Sequence, residues 1–519
     1  MSKKKAIIAL FIMAIIFGVA FGATYFFTDI FKDNGRQDPV IGGESHTQNI
    51  YEMNRTNSMN TMKTIGEPNI LVIPVSFTDY SVYSTASNRE KIRKSFFVDN
   101  PNNEDSYKTS DTSWYSVAQY YYLSSGGKLK IKGTVTDWFD VGIRTDQLID
   151  HRTTNPDYKY SGENGTWWLL NEAVKWYKNS TKSNLEEFDT DDDNYYDLVW
   201  LVYNAPDSKT DTNLASTFWA FTYWNVDNYG VSSKSNKLPY LYCFASYHML
   251  FDGYGKLGID AHTYIHETGH ALGLNDYYST GTTNKGTPDS FPYGGVDMMD
   301  FNIGDHCAYS KYKLGWISPK EVISKAGTFK LKSTNDTGEF FIVTPDFYGH
   351  PFDEYFVIEY ITPTGINYLD YRAPYEGNGL QGYNKPGIRI SHVDARGIDI
   401  NRRGEQYFVE KYDDIFAQTI TNNATNAVYK LENGKFCQEN VIMQKDYTGP
   451  FNSVLTQNYP IGKADPLFYQ NESFSLIDGS KYCDLMPFNS NKMNKGTDFN
   501  FVITVKSLGD EATIQIDLK

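Results

Sequence analysis

Apolar and polar positions change character along this chain, beginning with an apolar run from Ala6 to Phe27 behind Lys3, Lys4 and Lys5. A positive flank ahead of such a run directs the downstream chain across a membrane. Ala20-Phe21-Gly22 offers a cleavage site, which would make residues 1–30 a removable signal peptide. The run is also long enough for an uncleaved signal anchor, because about 20 apolar residues span a bilayer. Both outcomes stay open, and both put the rest of the chain outside the cytoplasm. Residues 31–66 are rich in Asn, Thr, Ser and Gly without sustained period, and read as a linker or short propeptide.

From Pro68 the pattern becomes that of an α/β unit. A strand is expected from Pro68 on, and a helix capped near Ser116 should end at Gly126-Gly127. A strand is expected over Lys128 to Val135 and an amphipathic helix around Trp167 to Tyr177. Leu198 to Tyr203 is continuously apolar, the composition of a buried strand. After a polar insertion near 205–238, Tyr240 to Met249 reads as a strand shortly before another helix. Beyond Pro319, period-two alternation recurs in Phe329–Lys332, Tyr355–Tyr360, Gly387–Asp394, Phe501–Val505 and Thr513–Ile516. The expected class is therefore α+β, with an α/β unit over 67–320 and a mostly β, sandwich-like unit over 321–519. No solenoid-type repeat is present.

Composition narrows the partners. A chain of 519 residues exceeds what one core holds. A net charge of −15 argues against nucleic acid as a partner, because its phosphates need a basic footprint. Membrane contact is expected only through the N-terminal segment if it stays uncleaved. Cys243, Cys307, Cys437 and Cys483 are widely spaced and form no metal-ligand pair. A Cys437–Cys483 disulfide and buried free thiols are both compatible with that spacing.

The chemistry concentrates in His266-Glu267-Thr268-Gly269-His270 and its continuation through Gly273 to Asp276. Histidines four apart on a helix lie on one face and can reach a single zinc ion. Glu267 is placed to take a proton from a water on that metal. Gly273 can end the helix in a conformation only glycine adopts cheaply, letting Asp276 return as third ligand. Three protein ligands and an open position make a catalytic zinc site. No glutamate occurs between His270 and Glu321, which disfavours a glutamate ligand from a second helix. His262 precedes His266 by one turn, but the helical rise carries it away from the metal, and His306 and His392 read as hydrogen-bonded structural residues.

This segment fits the short-loop design of the metzincin type. Together with Gly294 to Ile317 (GGVDMMDFNIGDHCAYSKYKLGWI), Asn69 to Asp79 and Ser116 to Leu129, it resembles secreted bacterial metalloproteases of the immune inhibitor A family. The resemblance covers roughly residues 68 to 395. It implies a metzincin-like catalytic domain with His266, His270 and Asp276 as zinc ligands, Glu267 as catalytic acid/base and Met299 as the methionine beneath the metal. Some metzincins carry a tyrosine two residues after that methionine, where this chain has Phe301. The oxyanion-stabilising group is then unassigned; Tyr309 and Tyr312 are candidates, though burial with local hydrogen bonding explains them more simply.

A second constellation is Asp189-Thr190-Asp191-Asp192-Asp193-Asn194-Tyr195-Tyr196-Asp197. Carboxylates at alternate positions of a tight loop converge, and their hard oxygens suit calcium. The expected ligands are Asp189, Asp191, Asp193, the Tyr195 carbonyl and Asp197; the plainer alternative is a solvated acidic turn. The expected activity is extracellular zinc-dependent hydrolysis of protein or peptide substrates. A non-catalytic, metal-stabilised adhesion or binding protein is the competing class, and a zinc hydrolase of non-peptide amides a weaker rival.

Overall fold

The computed structural model describes residues 61–98, 114–148, 164–224, 232–251, 258–274, 276–277, 297–301, 304–347, most of 349–371, 385–394, 398–400, 406–408, 440–442, 467–477, 493 and 497–519. The leader at 1–30, the linker up to residue 60, Cys437, Cys483 and the Phe301 side chain lie outside the described residues. No helix among the described residues is long and apolar enough to cross a membrane.

The first half is built from β1 (Asn69–Ser76), α1 (Ala86–Phe97), α2 (Val117–Ser124), β2 (Lys132–Val135), β3 (Phe139–Asp140), α3 (Asn164–Thr181), β4 (Val199–Tyr203), β5 (Phe221–Trp224), β6 (Leu241–Ser246) and α4 (His262–Ala271). Their sheet runs β2-β1-β4-β6-β5, with β3 beside the end of β1. β2, β1, β4 and β6 are parallel, and β5 runs antiparallel to β6 at the edge. Parallel strands need cover on both faces, which is why β4 and β6 are buried at every position and apolar up to Ser246 at the end of β6. Ile70, Val72, Trp200 and Cys243 face the core that holds α2 and α4. Leu71, Ile73, Leu201 and Phe244 face the opposite core, filled by Leu169, Leu170 and Ala173 of α3. Local signals set the ends of α2: Ser116 accepts from Gln119 N at its start, as its capping position predicts.

Three expectations need correction. The strand expected to continue to Met249 stops at Ser246 and turns into a 3₁₀ helix at Tyr247–Phe251. The strand expected from Lys128 begins only at Lys132, preceded by an isolated bridge from Leu129 to Gly66. The polar insertion contains β5, which pairs antiparallel with the next strand, β6.

After α5 (Met298–Phe301) and α6 (Ala308–Lys313) come β7 (Glu321–Ile323), β8 (Gly327–Lys332), β9 (Phe341–Val343), β10 (Glu354–Ile361) and β11 (Gly387–Asp394). A short ladder joins β12 (Ile398–Ile400) to β13 (Gln406–Phe408). β14 (Asn440–Ile442), β15 (Ser473–Ser475), β16 (Phe501–Ser507) and β17 (Glu511–Leu518) complete the described strands. One sheet runs β14-β11-β10-β9-β7 and another β15-β16-β17-β8. The whole is mixed α/β with several sheets, compatible with the α+β class.

β10 is buried at every position because its faces serve different cores. Tyr355 and Val357 join the core of α4 and α6, while Phe356 and Ile358 join Phe501, Ile503 and Ile514 of the last sheet. Glu359 ties these parts together. It pairs with Arg389 through two bonds of 2.8 Å, and its Oε1 also accepts Ala308 N at 2.8 Å.

Candidate metal centre and active site

α4 packs against β5 and β6 with nearly all its residues buried, so its polar groups must find partners within the protein. The helix ends where predicted. Gly273 has φ of +96°, a region closed to most side chains, and Leu274 N bonds Gly269 O at 3.0 Å. That turn delivers two things: the Leu274 carbonyl, which accepts from His270 Nδ1 at 2.8 Å, and Asp276 two residues later. His266 Nδ1 has an equivalent acceptor, the Met298 carbonyl at 2.8 Å.

Carbonyls only accept, so both imidazoles carry hydrogen on Nδ1, and the partners thereby fix the tautomers. Each Nε2 therefore points elsewhere, and both point at one oxygen. Asp276 Oδ1 lies 3.1 Å from His266 Nε2 and 3.2 Å from His270 Nε2. Burial opposes charge on His270, but the Asp276 carboxylate and Glu267 outweigh it and raise its pKa to about 9. Burial likewise opposes ionisation of Asp276, and the facing imidazoles still hold it below the usual carboxylate range. Both shifts state one fact: three donor atoms converge where positive charge is favoured. Metal–ligand bonds near 2.0–2.1 Å at tetrahedral angles put ligand atoms about 3.3 Å apart, close to the separations here. His266, His270 and Asp276 thus fit a small divalent cation, and backbone carbonyls hold both histidines as outer partners of metal ligands usually do.

Glu267 is buried beside this cluster, and burial raises its pKa against the lowering influence of His270 and His266. Thr222 of β5 meets it from the sheet edge, with Oγ1 2.7 Å from Glu267 O and 3.1 Å from Glu267 Oε2. Behind Thr222 stands Cys243 Sγ at 3.2 Å, on the residue paired with it in β6. Thr222 was not anticipated. The aromatic run Phe218-Trp219-Ala220-Phe221-Thr222-Tyr223-Trp224 was the available signal, passed over inside the insertion near 205–238.

Met299 lies beneath the helix. A Cβ on Gly269 would overlap its Sδ and stand 3.2 Å from Tyr121 Oη, so only glycine leaves room for this approach. The turn is held by Asp297, which accepts Met299 N at 2.7 Å and Cys307 N at 2.6 Å. Tyr277 N bonds Met299 O at 2.7 Å, and the Tyr277 hydroxyl meets Ser310 of α6.

In the acidic loop, carboxylate oxygens of Asp189, Asp191 and Asp193 lie within 4.8 Å of one another. Asp197 is not in that group. Its Oδ1 accepts Thr190 N at 3.0 Å, and its Oδ2 accepts Asn69 N at 2.8 Å and Thr190 Oγ1 at 2.7 Å. It still helps line a small cavity with Asp191, Asp193, Tyr195 and Tyr240. Burial raises Asp193 to about 7 and Asp197 to about 6. The ammonium of buried Lys237 contacts Asp189 and already answers part of the loop's charge.

His262 is bonded to Asp260 and stacks on Trp114 at 4.7 Å between ring centroids, away from the cluster. His392 Nε2 meets Glu354 Oε1 at 3.0 Å, as a structural histidine should. His306 departs from expectation. It is buried among Tyr120, Tyr121 and Trp316, and its Nδ1 is 3.9 Å from Asp297 Oδ1, beyond hydrogen-bond reach. Tyr309 and Tyr312 are buried on α6, and Cys243 and Cys307 are buried free thiols.

No protein-family model matches this chain. It is similar to Immune inhibitor A of Bacillus thuringiensis subsp. alesti. The two are 26% identical over 251 residues, which is 42% of this chain and 34% of that protein. The likeness to Immune inhibitor A is thus distant, and it spans about a third of that protein's length.

Proposed function

We propose that this chain is a zinc-dependent endopeptidase that works outside the cytoplasm on protein or peptide substrates. One observation carries this reading: two imidazoles, each held at Nδ1 by a backbone carbonyl, turn Nε2 to a single oxygen of Asp276. A purely structural site would have no use for a buried glutamate beside that cluster. The partial likeness to Immune inhibitor A supports the same reading.

Zinc held by His266, His270 and Asp276 would supply a Lewis acid and a water whose pKa falls to about 7. Glu267 would take a proton from the attacking water on its carboxylate and return it to the departing amine. Burial strengthens its hold on the proton between the two transfers. β5 gives the substrate a template, because an edge strand carries backbone groups that an extended peptide can pair with. β6 is interior, between β4 and β5, and has no free edge for this role.

In this reading the metzincin-like catalytic unit is 67–320 and the sandwich-like unit 321–519, meeting in a common core. The charged flank and apolar run at the N-terminus support export, with release or anchoring decided by cleavage. Calcium is the second proposed cation, held by Asp189, Asp191, Asp193 and the Tyr195 carbonyl, with Lys237 competing for Asp189.

The test is Glu267→Ala in the full chain, with bound zinc measured by elemental analysis and cleavage measured on casein. Zinc should stay near one equivalent while turnover falls on the order of 10²–10⁴-fold. Undiminished cleavage by this variant, or parent activity that survives a zinc chelator, would overturn the assignment.

A further inference from the structure

Thr222 sits where an edge strand meets the proposed acid/base, and its hydroxyl lies within hydrogen-bond distance of two oxygens of one residue. Glu267 O is 2.7 Å from Oγ1 and Glu267 Oε2 is 3.1 Å. A hydroxyl has one hydrogen and two lone pairs, so it donates to one of these at a time. With Glu267 ionised, the hydrogen belongs on Oε2, a charge-assisted bond stronger than one to a neutral carbonyl.

We propose that Thr222 is a positioning residue for the peptidase reaction, holding the Glu267 carboxylate in one orientation beside the two histidines. This rests on the reading of Glu267 as acid/base. Three features support it. The threonine is β-branched on a strand, which restricts its χ1 and fixes where Oγ1 points. Thr222 pairs directly with Cys243, whose Sγ at 3.2 Å backs the hydroxyl and whose burial is complete. The same short strand is the sheet edge proposed to bind substrate, which puts the hydroxyl on the element nearest the peptide.

Thr222→Val keeps the shape and removes the hydroxyl; Thr222→Ser keeps the hydroxyl. In the full chain loaded with zinc, Thr222→Val should lower kcat about tenfold or more with KM and bound zinc within about twofold of the parent. Thr222→Ser should recover most of that loss. In a Glu267→Ala background, Thr222→Val should have no further effect, because the group it orients is gone. Parent-like kcat in Thr222→Val overturns this proposal and leaves the peptidase reading intact. So does an equal loss in Thr222→Ser, or a loss that tracks zinc content or the unfolding midpoint. A parent chain with no chelator-sensitive cleavage overturns both.

Discussion

Gly269→Ala sets two opposed magnitudes against each other at the floor of the metal cluster. Helix propensity alone favours the change, since glycine inside a helix costs about 1 kcal/mol relative to alanine. Packing opposes it. The new methyl overlaps Met299 Sδ and stands 3.2 Å from both Met299 Cε and Tyr121 Oη. Met299 is fully buried, and Tyr121 Oη is fixed by a 2.6 Å bond to Ile265 O, so neither neighbour can simply swing into solvent. Overpacking of this kind costs about 1–3 kcal/mol. Steric repulsion wins over propensity, and the expected net is a loss of about 1 kcal/mol, a fall of a few degrees in thermal midpoint. Zinc affinity should fall as well, because displacing Met299 moves the neighbouring Met298 carbonyl that holds His266 Nδ1. Scanning calorimetry and competitive zinc titration read both effects. Met299→Ala removes the obstacle, so the double variant should be less destabilised than the sum of the single ones. Additive behaviour, or a gain of about 1 kcal/mol from Gly269→Ala alone, would refute the packing argument.

Arg389→Met leaves the Glu359 carboxylate buried without its cation, and chemical denaturation should register a loss of about 3–5 kcal/mol; a loss below about 1 kcal/mol would contradict the geometry. The acidic loop carries a pH signature. Asp193 and Asp197 have folded pKa values of about 7 and about 6, above an unfolded value near 3.9. The folded state then binds more protons between about pH 4 and 7, so this loop's contribution to stability is largest at low pH and declines as pH rises through that window. Calcium should offset the decline, raising the thermal midpoint at about pH 8 and hardly at about pH 5, and an equal or absent effect at both would exclude the calcium assignment.

The cluster was legible because its information is local. His266, Glu267 and His270 are set by helical period, and Gly273 needs only its own φ to return the chain toward Asp276. Ser116 and the strand at Leu198–Tyr203 were legible for the same reason. Thr222 was not, because β5 is a four-residue strand formed by pairing with β6, and nothing in its own spacing says that its threonine meets Glu267 of α4. Asp197 looked like its neighbours in the acidic loop. Whether an oxygen faces a shared centre or a backbone N–H at Asn69 depends on a contact 128 residues away, which spacing cannot carry. His306 shows the converse: its burial among aromatic rings arises from α2 and Trp316 meeting it, which no local pattern announces.

β10 makes the two halves of this chain poor candidates for exchange. Tyr355 and Val357 wall one core and Phe356 and Ile358 the other, while Glu359 reaches back to the start of α6. Recombination that grafted a foreign segment after residue 320 would have to reproduce two apolar surfaces and one buried carboxylate at once. Divergence on either side is therefore tethered to the other. Variation should accumulate in the surface loops while this party wall and its acidic anchor drift together.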